Sequence, residues 1–408
     1  MNYNQAYKKL EQHDQTHLLK YYDALTPTEQ EKLLTQIAEI DFSVLESIEN
    51  QAIIDQKGVI SPLKAMEMGE IDARRTAFSS LGLEAIRAGK VAAVLLAGGM
   101  GTRLGSAHPK GMYDIGQSRP VYIFQRLIEN MLDVVKEAGV FFPLYIMVSE
   151  KNQQETSAFL AAHDYFGYDA KRITFFKQDM APASDYQGKV FLEEKGWVST
   201  SPNGNGGWYA SMHKWGIADA ARADGIEWFN IFAVDNVLQR ICDPVFVGAT
   251  IDSGFAAGAK VVRKSARDEK LGTICLEDGR PSIVEYYDMT DELMDAVDEN
   301  GAPAYNFGVI LNYLFKADKL EEIMARKLPL HVVEKKISHL DAAGKLIHPT
   351  APNGYKYEQL VLDMIHEFEN CLPYEVLRGH EFAPIKNLTG VDSVESARRL
   401  CLAAGVEL

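Results

Sequence analysis

The chain has 408 residues, of which 47% are hydrophobic and 24% are charged, and its formal net charge at pH 7 is −15. This composition is typical of a water-soluble globular protein, and the length predicts two or three domains. The excess of acidic residues argues against a broad nucleic-acid-binding surface and against an anionic membrane as a partner.

The opening residues and the cysteines predict a cytoplasmic protein. The segment MNYNQAYKKLEQHDQ has no apolar core of a secretory signal. No apolar run approaches the roughly 20 residues that span a bilayer. The four cysteines are scattered, with no Cys-x-x-Cys pair, and we expect them to stay reduced.

Residues 1–88 are predicted to form a helical N-terminal region. The segment Thr26-Pro27-Thr28-Glu29 has the pattern of a capping box with proline at the first helical position. Apolar side chains then follow at helical spacing from residue 33 to residue 40.

The segment 91–115 reads VAAVLLAGGMGTRLGSAHPKGMYDI and combines an apolar strand, a glycine-rich turn and two cations. The apolar run Val91–Leu96 is typical of a strand buried on both faces of a parallel sheet. The glycines that follow allow a tight turn whose backbone N–H groups can converge on an anion. With Arg103 and Lys110 close behind, the segment predicts a polyphosphate-binding site.

Two common phosphate loops do not fit this segment. A Walker loop requires Gly-Lys-Ser/Thr at the start of a helix, whereas here Lys110-Gly111 follows Pro109. A dinucleotide fingerprint could begin at Gly99, but Leu104 stands where its third glycine should be. The sequence therefore disfavours a P-loop enzyme and a dehydrogenase.

From residue 89 to about 330 strands and helices are predicted to alternate. The predicted strands are Val91–Leu96, Leu144–Val148, Ile173–Phe176, Trp228–Val234 and Ala256–Val262, and the predicted helices are Ile123–Lys136 and Met212–Ala223. Alternation of this kind indicates a Rossmann-like α/β fold, with a mostly parallel mixed sheet flanked by helices. In such a domain, ligands bind beyond the carboxyl ends of the strands.

Two further features complete the predicted organisation. Asp278-Gly279 between two short apolar runs indicates a β-hairpin. Residues 331–408 are expected to form a small α+β C-terminal domain. The predicted domains are therefore 1–88, 89–330 and 331–408.

Asp235 follows directly on the apolar strand that begins at Trp228. A carboxylate in this place lies at the mouth of the expected ligand crevice. Mg²⁺ takes one or two carboxylates together with substrate phosphates, so Asp235 is the leading candidate for a metal ligand. The alternative is a helix N-cap in the strand-to-helix loop.

These segments together resemble the UTP-dependent sugar-1-phosphate uridylyltransferases. LAGGMGTRLG followed by PKGMYDIG is similar to their signature, and the PKGMYD string is typical of the eukaryotic-type UDP-N-acetylglucosamine pyrophosphorylases. The resemblance implies Mg²⁺ on Asp235, in the block VDNVLQRICDP. It also implies phosphate contacts from Arg103 and Lys110, and nucleotide contacts from Leu96, Ala97, Gly98 and Gly99.

Further blocks extend the resemblance to the base and the phosphates. Gln178, in FKQDMAPA, matches a glutamine that contacts uracil in the family. Gly204 matches the glycine of a GNGG loop that lets the base approach the backbone. Lys356, in GYKYE, matches a lysine that can reach phosphate, and the block EFAPIKN from Glu381 fits either a structural or a catalytic role.

Three residues match the sugar-binding residues of the family, and two neighbouring residues differ from the family pattern. Asn205 of the GNGG loop, Glu285 of a V-E-Y element and Asn312 match residues that face the sugar. However, Val309 replaces a family asparagine and Tyr313 replaces a family histidine. These changes leave the identity of the hexose open.

The resemblance implies the reaction of UTP with a sugar 1-phosphate to give a UDP-sugar and pyrophosphate, with Mg²⁺ as cofactor. The sugar phosphate would attack the α-phosphorus in line, without a protein nucleophile. N-acetylglucosamine 1-phosphate is the favoured substrate, and glucose or galactose 1-phosphate is the alternative. A non-catalytic nucleotide-sugar-binding module is the alternative from another functional class.

Overall fold

The computed structural model describes residues 1–48, 58–326 and 328–408. The chain divides into two compact units, each assembled from separated segments. The larger unit comprises Gly58–Gln178, Trp208–Lys327 and Leu362–Leu408, and the smaller unit comprises Met1–Lys57, Asp179–Gly207 and Leu328–Val361. These units cut across the three consecutive domains predicted from the sequence, because the chain leaves the larger unit and returns to it twice.

A mixed sheet forms the centre of the larger unit. Four neighbouring strands are parallel, in the order Trp228–Ala233, Val91–Leu96, Leu144–Val148 and Ile173–Lys177. The long strand Phe307–Lys316 pairs antiparallel with the first of them. The sheet continues through Ala257–Arg263, Thr273–Glu277, Arg280–Val284, Ile60–Ser61 and Leu372–Glu375. The predicted mixed α/β fold is therefore confirmed, although antiparallel pairing is more extensive than the sequence indicated.

Part of the predicted C-terminal domain belongs to this sheet. Strand Leu372–Glu375 pairs in parallel with Ala257–Arg263, and the helix Val394–Ala403 buries Val394, Ala397 and Cys401 in the core of the larger unit. The expectation of a separate C-terminal domain over 331–408 is corrected accordingly, because sequence spacing does not reveal which distant strand a segment will pair with.

Helices flank the sheet of the larger unit. They are Met68–Arg87, Ile123–Ala138, Gln153–Ala162, Trp208–Lys214, Ile217–Ala223, Pro244–Ser253, Asp291–Asp295, Ala317–Met324, Arg378–Glu381 and Val394–Ala403, with Val361–Glu367 beginning at the unit boundary. The single helix predicted over 212–223 is broken because Gly216 takes a left-handed conformation, with φ of 69°.

The helices Met68–Arg87 and Pro244–Ser253 pack unusually closely. A Cβ atom at Gly82 would lie 1.9 Å from the carbonyl oxygen of Pro244, and one at Gly248 would lie 1.8 Å from that of Phe78. Glycine at both places lets the two backbones touch. The first of these helices thus belongs to the larger unit, although it was predicted as part of the N-terminal region.

The smaller unit combines helices with short hairpins. Its helices Tyr3–Gln12 and Pro27–Glu39 bury Leu10, Leu33 and Ile37 in one core. The predicted capping box is confirmed, because Thr26 accepts the N–H of Glu29 while Glu29 accepts that of Thr26. The antiparallel pairs are Met180–Pro182 with Thr200–Pro202, Leu192–Glu194 with Trp197–Val198, His331–Lys335 with Gly354–Glu358, and His339–Leu340 with Leu346–Ile347.

The predicted hairpin at Asp278-Gly279 is present. Both residues have positive φ, 50° and 81°, as a two-residue turn between twisted strands requires. Across the described ranges, none of the helices is apolar over a length that would cross a bilayer.

Candidate active site at the glycine loop

The candidate site of the larger unit lies where two parallel strands end together. In the strands Val91–Leu96 and Trp228–Ala233, the last residues Leu96 and Ala233 stand opposite each other. The segment 97–110, here called the glycine loop, leaves the first strand. The segment Asp235–Asp243, here called the Asp235 loop, follows the second. Adjacent strand ends therefore bring the predicted phosphate loop and the predicted metal ligand to one edge of the sheet.

The glycine loop folds back on itself through backbone hydrogen bonds. The N–H of Gly101 donates to the carbonyl of His108 over 2.8 Å, and the N–H of Lys110 donates to that of Gly99 over 3.2 Å. Gly105 has a left-handed φ of 72°, which lets the chain reverse. The loop thus returns Lys110 to the side of Gly99. Leu96, at the end of the strand, and Ala97, at the start of the loop, are buried.

Leu104 explains why the dinucleotide fingerprint is broken. Its side chain is 4% exposed and packs into the core of the larger unit, where a glycine could not anchor the loop. The loop continues as the 3₁₀ turns Thr102–Leu104 and Lys110–Met112 instead of opening an α-helix. This geometry agrees with the sequence, which fits neither a dinucleotide-binding fingerprint nor a Walker loop.

The structure brings Lys110 and Asp235 into contact. The Nζ atom of Lys110 lies 2.9 Å from Oδ1 of Asp235, and the two side chains are 13% and 33% exposed. Arg103 is exposed on the same loop, and within the described part of the chain it makes no ion pair. The site therefore offers one paired cation, one exposed cation and one carboxylate beside a glycine-rich backbone.

Gln178 follows the fourth parallel strand and packs against the start of the glycine loop. A Cβ atom at Gly98 would lie 2.3 Å from Oε1 of Gln178, so a side chain there would displace the carboxamide. The N–H of Gln178 donates to the carbonyl of Val148 over 2.8 Å, which fixes its backbone to the neighbouring strand. A carboxamide held at this place can both donate to and accept from a planar base.

Asn152 also contacts the glycine loop, although its role was not predicted from the sequence. Its side chain is fully buried. Nδ2 donates to the carbonyl of Ala97 over 2.9 Å, while Oδ1 accepts the N–H of Ser149 over 2.8 Å. A polar residue shortly after the third parallel strand was the available signal, since ligands and loop anchors gather at that edge.

Asn312 lies in the antiparallel strand beside Trp228–Ala233 and is fully buried. Its Nδ2 donates to Oε1 of Gln239 over 3.1 Å, and its Oδ1 accepts from Asn230 over 2.8 Å. Both ends of the amide are thus engaged beneath the Asp235 loop. The sugar contact of Asn312 remains a prediction, and making it would require this network to open.

Glu285 stands immediately after strand Arg280–Val284, and it is half-buried. A Cβ atom at Gly272 would lie 3.6 Å from Oε2 of Glu285 and 3.5 Å from a methyl carbon of Val309. The carboxylate and the apolar Val309 therefore share one neighbourhood. Tyr313, by contrast, is 1% exposed and stacks on Phe315, and burial raises the pKa of its phenol above the usual range.

Three predicted site residues belong to the smaller unit, namely Gly204, Asn205 and Lys356. Gly204 has φ of 89°, and a Cβ atom there would lie 2.2 Å from the carbonyl oxygen of Gln359. Oδ1 of Asn205 accepts the N–H of Val361 over 2.9 Å. Lys356 is half-buried in the strand that leads to this segment. The GNGG loop is thus fixed against the chain just after Lys356.

The described residues contain no group of three or more His, Cys, Asp or Glu side chains that could by itself hold a metal ion. A single partly exposed carboxylate is nevertheless compatible with Mg²⁺, which keeps several water or phosphate ligands of its own. Asp235 therefore fits a metal that arrives with the nucleotide.

Comparisons with known proteins agree with the motifs. The sequence profile of the family described as UTP–glucose-1-phosphate uridylyltransferase matches residues 31–399. A UDP-N-acetylglucosamine pyrophosphorylase from Saccharomyces cerevisiae is 36% identical over 96% of this chain and 88% of its own length. UDP-N-acetylhexosamine pyrophosphorylase-like protein 1 from Mus musculus is 33% identical over 97% of this chain and 83% of its own.

A solved structure shares the fold. The uridine diphosphate N-acetylglucosamine pyrophosphorylase from Trypanosoma brucei, crystallised with an inhibitor, superposes with a TM-score of 0.83. The match covers 97% of this chain and 83% of that chain, with 24% sequence identity.

Proposed function

Because the chain belongs to the UTP–glucose-1-phosphate uridylyltransferase family and is a nucleotidyltransferase that forms UDP-sugars, we propose that it joins UTP to N-acetylglucosamine 1-phosphate. The products are UDP-N-acetylglucosamine and pyrophosphate. The observation that carries this proposal is the contact of Lys110 with Asp235 beside the glycine loop. A module that merely bound a nucleotide sugar would not need a carboxylate next to a phosphate-binding cation.

The reaction forms one P–O bond and breaks another. An oxygen of the sugar phosphate attacks the α-phosphorus of UTP in line, and pyrophosphate leaves from the opposite side. Backbone N–H groups of the glycine loop bind the nucleotide phosphates. Arg103 stabilises the charge on the leaving group, while Lys110 neutralises the oxygens of the transferred phosphoryl group. Catalysis of this kind is positioning plus charge stabilisation.

Asp235 is the residue that would hold Mg²⁺, and we propose this cation as the cofactor. When bound, Mg²⁺ supplies positive charge to phosphate oxygens without any proton transfer. Lys110 would then turn from the Asp235 carboxylate towards the substrate phosphates.

Gln178 is proposed to bind uracil. Its carboxamide lies against Gly98, at the entrance of the glycine loop. Uracil presents a carbonyl–imide–carbonyl edge, which a carboxamide can match with one donor and one acceptor. Cytosine presents a different pattern, so this contact favours UTP over CTP.

The sugar assignment draws on the neighbourhood of Glu285. A carboxylate accepts hydrogen bonds from hexose hydroxyl groups, and Val309 beside it gives an apolar surface for the methyl group of an acetamide. Tyr313 is buried in the core, and burial together with the nearby Glu285 carboxylate raises the pKa of its phenol. The apolar surface of Val309 supports N-acetylglucosamine 1-phosphate over glucose 1-phosphate.

We also propose that the reaction takes place in the cytoplasm. All four cysteines are buried thiols, which suits a reducing compartment.

Identification of the products by ³¹P NMR tests the proposal. Incubation with UTP, Mg²⁺ and N-acetylglucosamine 1-phosphate should produce the paired resonances of a UDP-sugar together with that of pyrophosphate. Binding of UDP-N-acetylglucosamine without any pyrophosphate formation would show a non-catalytic module instead.

A further inference from the structure

A buried ion pair lies beneath the Asp235 loop and takes no part in the reaction. Lys260, in strand Ala257–Arg263, is fully buried, and its Nζ lies 2.6 Å from Oε2 of Glu381. The carboxylate of Asp243, at the end of the loop, lies 3.4 Å from the same ammonium. Burying an ammonium group is costly unless carboxylates and hydrogen bonds compensate it. The burial of these charges at this position therefore needs a structural or functional explanation.

Both members of the pair bind the backbone of the Asp235 loop. Lys260 Nζ donates to the carbonyl of Arg240 over 2.9 Å, and Oε2 of Glu381 accepts the N–H of Arg240 over 3.1 Å. One ion pair thus satisfies both backbone polar groups of a single loop residue.

The segment that follows Glu381 holds the other end of the loop. Asn236 donates to the carbonyl of Glu381 over 2.7 Å and accepts the N–H of Ala383 over 2.8 Å. The N–H of Ile385 donates to the carbonyl of Asp235 itself over 3.0 Å. The EFAPIKN block, whose role the sequence left open, therefore supports the Asp235 backbone.

We propose that Lys260 is a positioning residue for Asp235, acting through Glu381 and the segment 381–385. The ammonium of Lys260 fixes the carboxylate of Glu381, which binds the backbone of Arg240 in the second half of the loop. The segment that begins at Glu381 holds the Asp235 peptide in the first half of the loop through Asn236 and Ile385. The pair thereby sets the direction of the carboxylate that receives Mg²⁺. This inference rests on the proposed function, since it takes Asp235 as the metal ligand.

The first variant is Lys260→Met, which keeps the length of the side chain and removes its charge. Changes to the partners of a metal ligand typically cost about 10- to 100-fold in metal affinity or activity. We expect the Mg²⁺ concentration for half-maximal rate to rise, or kcat to fall, by that factor, while KM for UTP stays close to that of the wild type. In the metal-free protein, hydrogen exchange of amides 236–243 should be at least about tenfold faster.

A second variant separates positioning from folding. Lys260→Met leaves Glu381 and Asp243 buried without their ammonium partner and can unfold the chain, whereas Lys260→Met/Glu381→Gln removes both charges of the pair. Glu381→Gln alone keeps an oxygen acceptor and should give a smaller effect of the same kind. Leu320→Ala, a core truncation in the helix Ala317–Met324, lowers stability without touching the loop and should leave the Mg²⁺ requirement unchanged.

The outcomes are distinguishable. A stable double variant with wild-type Mg²⁺ requirement and wild-type exchange of the loop would reduce the pair to a folding role and overturn the inference. If Asp235→Ala keeps full Mg²⁺-dependent activity, the proposed metal site itself fails. If Asp235→Ala is inactive and the Lys260 variants behave like wild type, only the positioning role fails.

Discussion

The glycine loop and the Asp235 loop lie at the ends of neighbouring strands, yet they are held in different ways. The glycine loop is closed mainly by its own backbone, as in the bonds of Gly101 to His108 and of Lys110 to Gly99. The Asp235 loop is held by side chains from distant parts of the chain, including Asn312 and Glu381. A substrate-binding loop can therefore be locally encoded, whereas the direction of a single carboxylate depends on the tertiary structure.

The sharpest test of this difference is Asp235→Ala. Removing the proposed metal ligand should lower kcat by on the order of 10³ or more while the chain stays folded, because charge stabilisation of the transition state is lost. The measurement is steady-state pyrophosphate release over a range of Mg²⁺ concentrations. Asp252→Ala is the matched control, since that carboxylate is similarly exposed, 34% against 33%, and also pairs with a cation.

Arg103→Ala tests the exposed cation of the glycine loop. Loss of one positioned charge typically costs on the order of 10²–10³ in rate, and we expect this loss in kcat more than in KM for UTP. Arg119→Ala removes another exposed arginine outside the loop and should have little effect. A raised KM with unchanged kcat would instead assign Arg103 to ground-state binding of UTP.

Asn312→Ala separates the sugar role predicted from the sequence from the supporting role that its contacts indicate. Leaving its buried partners Gln239 and Asn230 unsatisfied should cost about 1–3 kcal/mol in the free energy of unfolding. Together with this loss of stability, kcat should fall by a similar factor for every sugar 1-phosphate. Chemical denaturation and kinetics measure the two effects. A raised KM for the sugar phosphate, with stability unchanged, would favour direct contact with the hexose.

Gln178→Ala should produce the smallest change. One neutral hydrogen bond contributes about 0.5–1.5 kcal/mol, so the preference for UTP over CTP should shrink by up to about tenfold. The readout is the ratio of kcat/KM for the two nucleotides. Equal use of UTP and CTP by the wild-type protein would refute the role of Gln178 in reading the base.

Much of the larger unit could be predicted because its signals are local. The strands Val91–Leu96 and Leu144–Val148 have the bounds that their apolar runs indicate, and the glycine loop carries its pattern in consecutive residues. The division into units could not be predicted, because strand Leu372–Glu375 pairs with strand Ala257–Arg263, which lies more than a hundred residues earlier in the chain.

The residues of the candidate site also differ in whether their roles depend on local sequence signals or on tertiary contacts. Lys110 and Asp235 could be foreseen from motifs and from the rule that ligands gather at the carboxyl ends of strands. The contacts of Lys260 and Glu381 could not, because a polar residue in a sequence does not reveal which distant backbone group it will satisfy. The environment of Asn312 was hidden for the same reason, since its partner Gln239 lies 73 residues away.

Uridylyl transfer to N-acetylglucosamine 1-phosphate is tested by kcat/KM values measured side by side for several sugar 1-phosphates. The panel is UTP with the 1-phosphates of N-acetylglucosamine, N-acetylgalactosamine, glucose and galactose, followed by pyrophosphate release. We predict that N-acetylglucosamine 1-phosphate is used at least about tenfold better than glucose 1-phosphate, as expected when a site matches an extra polar group. A clear preference for glucose or galactose 1-phosphate would contradict the N-acetyl assignment, and no turnover with any sugar would contradict the catalytic account itself.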